Sequence, residues 1–353
     1  MEIIITILQI IGITIGILVG LFIIELAIVA FIPGFSVPKQ PLEKPEQIPK
    51  KVDKKPSQSR KDVSFKVNGT SISAWLYLPD DLSAPVPCII MGHGLGGTMD
   101  MGLEAYAIRY RDAGLSVLVF DYRHLGVSEG EPRQLIWIPY QLKDYSAAIT
   151  YARSLKEIDP TRIALWGTSL SGGHVIVTAA KDKNIACVVS QCPWLDGLAA
   201  GKYAAKLQGI GRGLRLVVHG QRDFVRSWFG LSPHKIPIAG KSGSIAIIPF
   251  TEAYEAFEKL APANFANEAC ARILIRIDKF RPIKKANKVR CPVLLQICDK
   301  DEPLPLNTIE EAANKMGKYS EVKHYPIGHF DIYIGKNFER SVTDQLEFFK
   351  KHL

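Results

Sequence analysis

Arg162-Ile163-Ala164-Leu165-Trp166 runs directly into Gly167-Thr168-Ser169-Leu170-Ser171-Gly172-Gly173. A short β-rich apolar run followed by small residues, and then by an apolar helical pattern to about Ala180, reads as a strand, a tight turn and a helix. A serine at such a turn projects its hydroxyl above the sheet at a helix N-terminus, where the helix dipole favours developing negative charge. The turn is so sharp that residues two before and two after the serine must be small; Gly167 and Ser171 meet this, Ser171 standing where glycine is usual. Ser171 is thereby also a rival nucleophile.

Outward from this stretch, short buried runs alternate with helical patterns. The runs are Val86 to Met91, Ser116 to Phe120, Arg162 to Trp166, Ala186 to Ser190, Pro292 to Cys298 and Glu321 to Tyr325. Helical patterns fall near Met101 to Ala113, Leu135 to Leu155, Ser169 to Ala180, Leu306 to Met316 and Phe338 to Lys350. This alternation predicts a mostly parallel sheet with helices on both faces. An antiparallel hairpin opens it, Val63 to Asn68 and Ile72 to Leu78 around Asn68-Gly69. From about 194 to 290 no clear buried strand continues the pattern, which predicts a cap inserted between two strands.

The motifs resemble those of the α/β-hydrolase superfamily. The Gly167 to Gly173 stretch is similar to its nucleophile elbow, and chain order in that fold is Ser, acid, His. The resemblance implies Ser169 as nucleophile, Asp301 in Cys298-Asp299-Lys300-Asp301 before Pro303 as the acid, and His329 in Gly328-His329 as general base. Asp299 is the rival acid, and His324 falls inside a strand pattern as a structural residue. Gly92-His93-Gly94-Leu95 resembles the oxyanion turn, which implies the backbone N–H groups of Leu95 and Leu170 as donors; His93 and His174 read as structural side chains. Phe120-Asp121-Tyr122-Arg123 and Gly126 to Arg133 are similar to the corresponding loop in dienelactone-hydrolase-like and X-Pro-dipeptidyl-peptidase-like members, a grouping that includes fungal polyketide transferases. The implied chemistry is acyl transfer through Ser169, with carboxylic esters or thioesters as the leading substrates. Peptides, transfer to an acceptor other than water, and a catalytically silent scaffold are the alternatives. Arg212, Arg215, Arg222, Arg226 and Lys235 make the cap basic and favour neutral or anionic substrates over an amine. Ile245 to Phe250 could wall an acyl pocket or form the cap's own small core.

The first 32 residues are of another kind. Ile3 to Ile24 carries no charge, and 22 residues of helix span roughly 33 Å, enough for a hydrocarbon core of about 30 Å. Only Met1 and Glu2 precede the run, whereas a cleaved signal peptide calls for a basic leading region and a shorter apolar core. The reading is therefore one transmembrane anchor, residues 1–32. Gly12, Gly16 and Gly20 form a small-residue stripe that could pair two copies. Residues 33–61 hold six prolines and eight basic against three acidic side chains, a Pro/Lys-rich linker ahead of a hydrolase domain at 62–353. Lysines on that side place the main domain in the cytoplasm.

This linker also carries more than half of the net charge of +9 among 353 residues, so no basic face for nucleic acid is implied. Six cysteines, none in C-x2-C spacing, imply neither a disulfide framework nor a metal site, and no cofactor is expected.

Overall fold

A computed structural model describes residues 1–32, 36–42, 60–81 and 83–353. Strands β1 (Arg60–Val67) and β2 (Thr70–Tyr77) form the expected hairpin, with Asn68 and Gly69 at φ 50° and 87° in its turn. β3 (Val86–Gly92), β4 (Ser116–Phe120), β5 (Ile158–Thr168) and β6 (Cys187–Gln191) follow. After them come two-residue strands β7 (Lys235–Ile236) and β8 (Ala269–Cys270), then β9 (Val293–Cys298) and β10 (Ser320–Tyr325). Eight strands make one sheet in the order β1-β2-β4-β3-β5-β6-β9-β10. All neighbours from β4 to β10 are parallel, and β1 and β2 are antiparallel to theirs. β1 includes Arg60, which pairs with Tyr77 of β2.

Central strands are apolar on both sides, as a sheet covered on both faces requires. Ile90, Leu118, Leu165, Val188 and Leu295 pack on one face with residues of helices α3 (Ile138–Arg153) and α4 (Leu170–Lys181). Their neighbours Ile89, Val117, Ala164, Val189 and Leu294 pack on the other with α2 (Leu103–Asp112) and the C-terminal helix (Gly335–His352). The Tyr145 hydroxyl lies 2.7 Å from the carbonyl oxygens of Ile90 and Trp166, bridging β3 and β5 just below their C-terminal ends.

The insertion between β6 and β9 is helical, as expected, and contains α5 (Gly197–Gln208), α6 (Ile210–Trp228) and α7 (Thr251–Leu260). Two buried carboxylates organise it. Asp196 caps α5 through the Leu198 and Ala199 N–H groups and pairs with Arg281 at 2.7 Å. Asp223 in α6 pairs with Arg272 at 2.6 Å and accepts the His234 N–H. α8 (Asn307–Met316) and the C-terminal helix, α9, complete the core.

α1 (Glu2–Phe31) is about 45 Å long at 1.5 Å per residue, and only Val29 and Ala30 of it are buried. It is long and apolar enough to cross a membrane. Open space lies where side chains at Gly12, Gly16 and Gly20 would stand. Of the linker, residues 36–42 are described, and they are fastened to the cap: Tyr254 donates to the Pro41 carbonyl at 2.6 Å and Asn267 to that of Gln40 at 2.8 Å. The lysines from Lys44 to Lys55 lie outside the described residues.

The sheet meets α4 at Gly167, where a Cβ would stand 2.2 Å from the Ser171 carbonyl oxygen. Neither atom can yield without unwinding the first turn of α4. Gly167→Ala is expected to cost more than about 3 kcal/mol in urea unfolding, well beyond an ordinary surface change; a loss under about 1 kcal/mol would show that the turn can relax.

Candidate active site

Ser169 stands between β5 and α4 at φ 54°, ψ −117°, a conformation that L-residues rarely adopt. Its N–H donates to the Gln191 carbonyl at 2.9 Å and its carbonyl accepts the Trp194 N–H at 2.8 Å, so β6 and the chain after it hold the strained residue from both sides. The result is the elbow expected from the sequence, with Ser169 half-buried at the C-terminal edge of the sheet.

Ser171 is not at that surface. It is fully buried, and its hydroxyl lies 2.5 Å from the His93 carbonyl, 2.6 Å from the Tyr122 hydroxyl and 3.2 Å from His174 Nδ1. The rival nucleophile is thus a bracing residue that ties α4 to the loop after β3.

The loop after β9 brings Asp301 to the His329 loop that follows β10. His329 Nδ1 and Asp301 Oδ2 are 2.5 Å apart with both side chains buried, and Asp301 Oδ1 accepts the Leu304 N–H at 2.9 Å. The rival acid Asp299 is turned outward and pairs instead with His324 Nδ1 at 2.7 Å on the surface. Burial disfavours the charged imidazole, but the Asp301 carboxylate, with the Cys192 thiol beside it, outweighs this and holds His329 well above its ordinary value. Asp301 is itself raised, by desolvation that the neighbouring imidazole only partly offsets.

Ser169 and His329 border the same two cavities. Ser169 Oγ has no hydrogen-bond partner among the described residues, so it is not bonded to His329. Catalytic contacts of this kind are commonly loose until a ligand is bound.

The Gly92 to Gly97 turn lies directly against the serine. A Cβ on Gly94 would stand 3.2 Å from the Ser169 Cβ, so this residue's smallness sets the approach. As the first residue of α4, Leu170 has an N–H with no partner inside the helix, and the Leu95 N–H has no acceptor among the described residues. His93 is buried, keeps Nδ1 3.0 Å from the Gly94 carbonyl, and is pushed down to about 4 by burial, so it is neutral near pH 7. His174 is likewise buried and pushed down to about 3. Asp121, raised to about 7 by burial, accepts the Met99 N–H at 2.7 Å and the Val127 N–H at 2.9 Å, joining the oxyanion-side loop to the loop after β4.

Above Ser169 is a cavity of about 310 Å³ roofed by α5 and α6. Its wall is mostly apolar or small, with Leu95, Trp194, Ala204, Leu216 and Phe250 prominent, and Gln208, Arg212 and Asp278 as polar points. Ile247, Ile248 and Phe250 line it, whereas Ala246 is buried in the cap, so the 245–250 stretch serves both as pocket wall and as cap core. A smaller space of about 60 Å³ extends from Ser169 on the other side, toward Met101, Phe257 and Leu260. A third cavity, about 380 Å³, lies between β2 and Pro262–Ala266; Met99 and Asp121 line it, and Ser169, Asp301 and His329 do not.

The basic cap residues mostly have other work. Arg222 and Arg226 bind carbonyls at the end of α1, Lys235 pairs with Glu268 at 2.8 Å, and of the five only Arg212 reaches the cavity, bonded to the Ser244 carbonyl at 2.6 Å. The cap is basic in composition, but the cavity wall is largely apolar, with Arg212 and Asp278 as its charged side chains. Two contacts had no sequence signal. Glu252 of α7 accepts the Phe330 N–H at 3.2 Å, linking cap to histidine loop, and the Tyr333 hydroxyl bonds Thr168 beside the elbow.

Residues 87–336 match the family model described as the alpha/beta hydrolase fold. The quorum-quenching protein AidA of Acinetobacter baumannii (strain MDR-ZJ06) is 42% identical over 83% of this chain and 95% of its own. The thiohydrolase aneE of Aspergillus aculeatus is 26% identical over 80% of this chain and 90% of its own. The crystal structure of the alpha/beta hydrolase GrgF from Penicillium sp. sh18 superposes with a TM-score of 0.70 at 24% identity, over 83% of this chain and 98% of that one. A polyketide transferase of the same name from a Penicillium species is 26% identical over 83% and 97%. With the elbow, the strand order and these relatives in agreement, the chain belongs to the alpha/beta hydrolases.

Proposed function

We propose that this hydrolase is a membrane-anchored serine enzyme that cleaves carboxylic esters or thioesters with an apolar acyl group, through Ser169, His329 and Asp301. The observation that carries this reading is the shared cavity: a half-buried elbow serine and a buried, carboxylate-bonded histidine open together onto an apolar space of about 310 Å³. The names of the relatives, a quorum-quenching protein, a thiohydrolase and a polyketide transferase, agree with acyl chemistry of this class.

In the proposed reaction Ser169 Oγ attacks the substrate carbonyl carbon while His329 Nε2 takes the hydroxyl proton. Asp301 holds the imidazole by Nδ1–H and stabilises the imidazolium; it does not itself take the proton. The oxyanion is received by the Leu95 and Leu170 N–H groups, each of the kind whose loss typically costs about 10²–10³ in rate. Collapse breaks the bond to the alcohol or thiol, which leaves with the proton from His329. Water then attacks the acyl-enzyme, giving its proton to His329, and Ser169 recovers that proton as the acid departs. An acceptor alcohol in place of water would make the same site a transferase.

Ser169→Ala is expected to abolish hydrolysis of p-nitrophenyl esters while leaving the fold intact, and Asp301→Asn to lower kcat by about 10³–10⁴. Activity unchanged in Ser169→Ala would reject the reading. The chain-length optimum reports how much of the apolar cavity the acyl group fills.

His329 must be neutral to act as base, so activity is present above its folded value and lost as pH falls through it. Since Asp301 holds that value up, the acid limb of kcat/KM is expected above the ordinary histidine value of about 6.5. An acid limb near pH 4 would show that Asp301 does not act on His329.

The flanking lysines support a cytoplasmic domain in this reading. Protease added to intact cells is expected to spare it, and digestion from outside would reverse the topology.

A further inference from the structure

α6 has three sides. One faces the cavity, with Gly213 and Leu216 on its wall, and another meets the end of α1. The third carries Ile210, Leu214, Phe224 and Trp228, which at 100° per residue fall within about 80° of one another, and Val217 stands between this side and the cavity wall. Ile210 is 72% exposed, Leu214 62% and Trp228 61%, and Leu207 at the end of α5 adds to the same corner at 51%. A helix of a water-facing cap ordinarily presents charge along such a stripe.

The end of α1 shows what lies opposite. Arg222 donates to the Val29 and Ile32 carbonyls at 2.5 and 3.0 Å, and Arg226 to that of Ala30 at 3.0 Å. The Phe31 and Phe229 rings are 5.4 Å apart. These bonds satisfy the last-turn carbonyls of α1 and fix α6 at the level where the apolar helix ends. If α1 crosses a bilayer, that level is the lipid headgroup boundary, where aromatic and arginine side chains concentrate. Arg215 and the exposed Lys202 and Lys206 add positive charge suited to anionic headgroups.

The corner between α5 and α6 is also a thin part of the cavity wall. Gly209, at φ 85°, joins the two helices; it lines the cavity and is exposed, with open space where a side chain would stand. Leu207 and Ile210 flank it.

We infer that the α5–α6 corner lies in the interfacial layer of the bilayer and admits a lipid-dissolved acyl substrate to Ser169 past Gly209, without passage through water. This inference rests on the anchor and on the acyl-hydrolase reading, so its test separates the three. The full chain in phosphatidylcholine vesicles with a minor share of phosphatidylglycerol should resist alkaline carbonate extraction; release would contradict the anchor itself. In retained protein, acyl-brominated lipid should quench fluorescence that is lost in Trp228→Phe. Retention without such quenching overturns the docking, whatever the activity.

For the entry route, Ile210→Asp/Leu214→Asp should lower hydrolysis of a long-chain ester dissolved in the vesicles by about tenfold or more, each change withdrawing an apolar side chain from lipid. Hydrolysis of a short water-soluble ester should stay within about twofold, since neither residue borders the cavity. An equal effect on both substrates, or on neither, overturns the entry route. Inactivity of the unmodified chain on both, with quenching intact, would instead reject the hydrolase reading.

Discussion

The proposed chemistry depends on holding one residue in a conformation it would not choose. Ser169 is an L-residue at φ 54°, and a strain of about 1–3 kcal/mol persists only where the surroundings over-determine it. They do so through its two backbone bonds to Gln191 and Trp194, and through the absence of a Cβ at Gly167. Gly172 and Gly173 extend the requirement, since a Cβ on either would enter Pro193 or the Trp194 carbonyl. The buried hydroxyl of Ser171 then ties the first turn of α4 to the His93 carbonyl, so elbow and oxyanion-side turn move as one body. Preorganisation of this sort places N–H donors before charge develops, which is where most of the rate gain in acyl transfer arises.

Around this rigid centre the cap is held by point contacts. Asp196 with Arg281 and Asp223 with Arg272 give it internal order, while Glu252 reaches the backbone of the histidine loop. The Glu252 carboxyl is half-buried and raised, by desolvation foremost, so a shift of α7 would be felt at the residue following His329. On the opposite side two arginines of α6 bind the end of α1. Thus α5 and α6 roof the cavity, α7 reaches the His329 loop, and α6 also meets the end of α1.

The elbow, the Gly92 to Gly97 turn and the acid and histidine loops were legible in the sequence because each is a local rule: small residues where the backbone turns sharply, and a fixed order along parallel strands. The choice between Asp301 and Asp299 was less so. It turns on β10 lying parallel to β9, which brings His324 beside Asp299 and sends His329 to Asp301. The roles of Arg212, Arg222 and Arg226 were not readable, because their partners are carbonyls at distant positions, and charge in a sequence does not say whether it faces substrate or backbone. Glu252 and Tyr333 escaped for the same reason: cap placement is set by packing over long sequence separations. The start of β1 at Arg60 inside a lysine-rich stretch also defied composition, since its pairing with β2 depends on register with Tyr77.

The most direct test of the account is covalent. The full chain in its vesicles, treated with a fluorophosphonate and digested, should yield one modified active-site peptide with the adduct on Ser169 and none on Ser171. Labelling should require native structure and disappear in His329→Ala. An adduct on Ser171, or equal labelling of folded and urea-unfolded protein, would contradict an elbow nucleophile activated by His329.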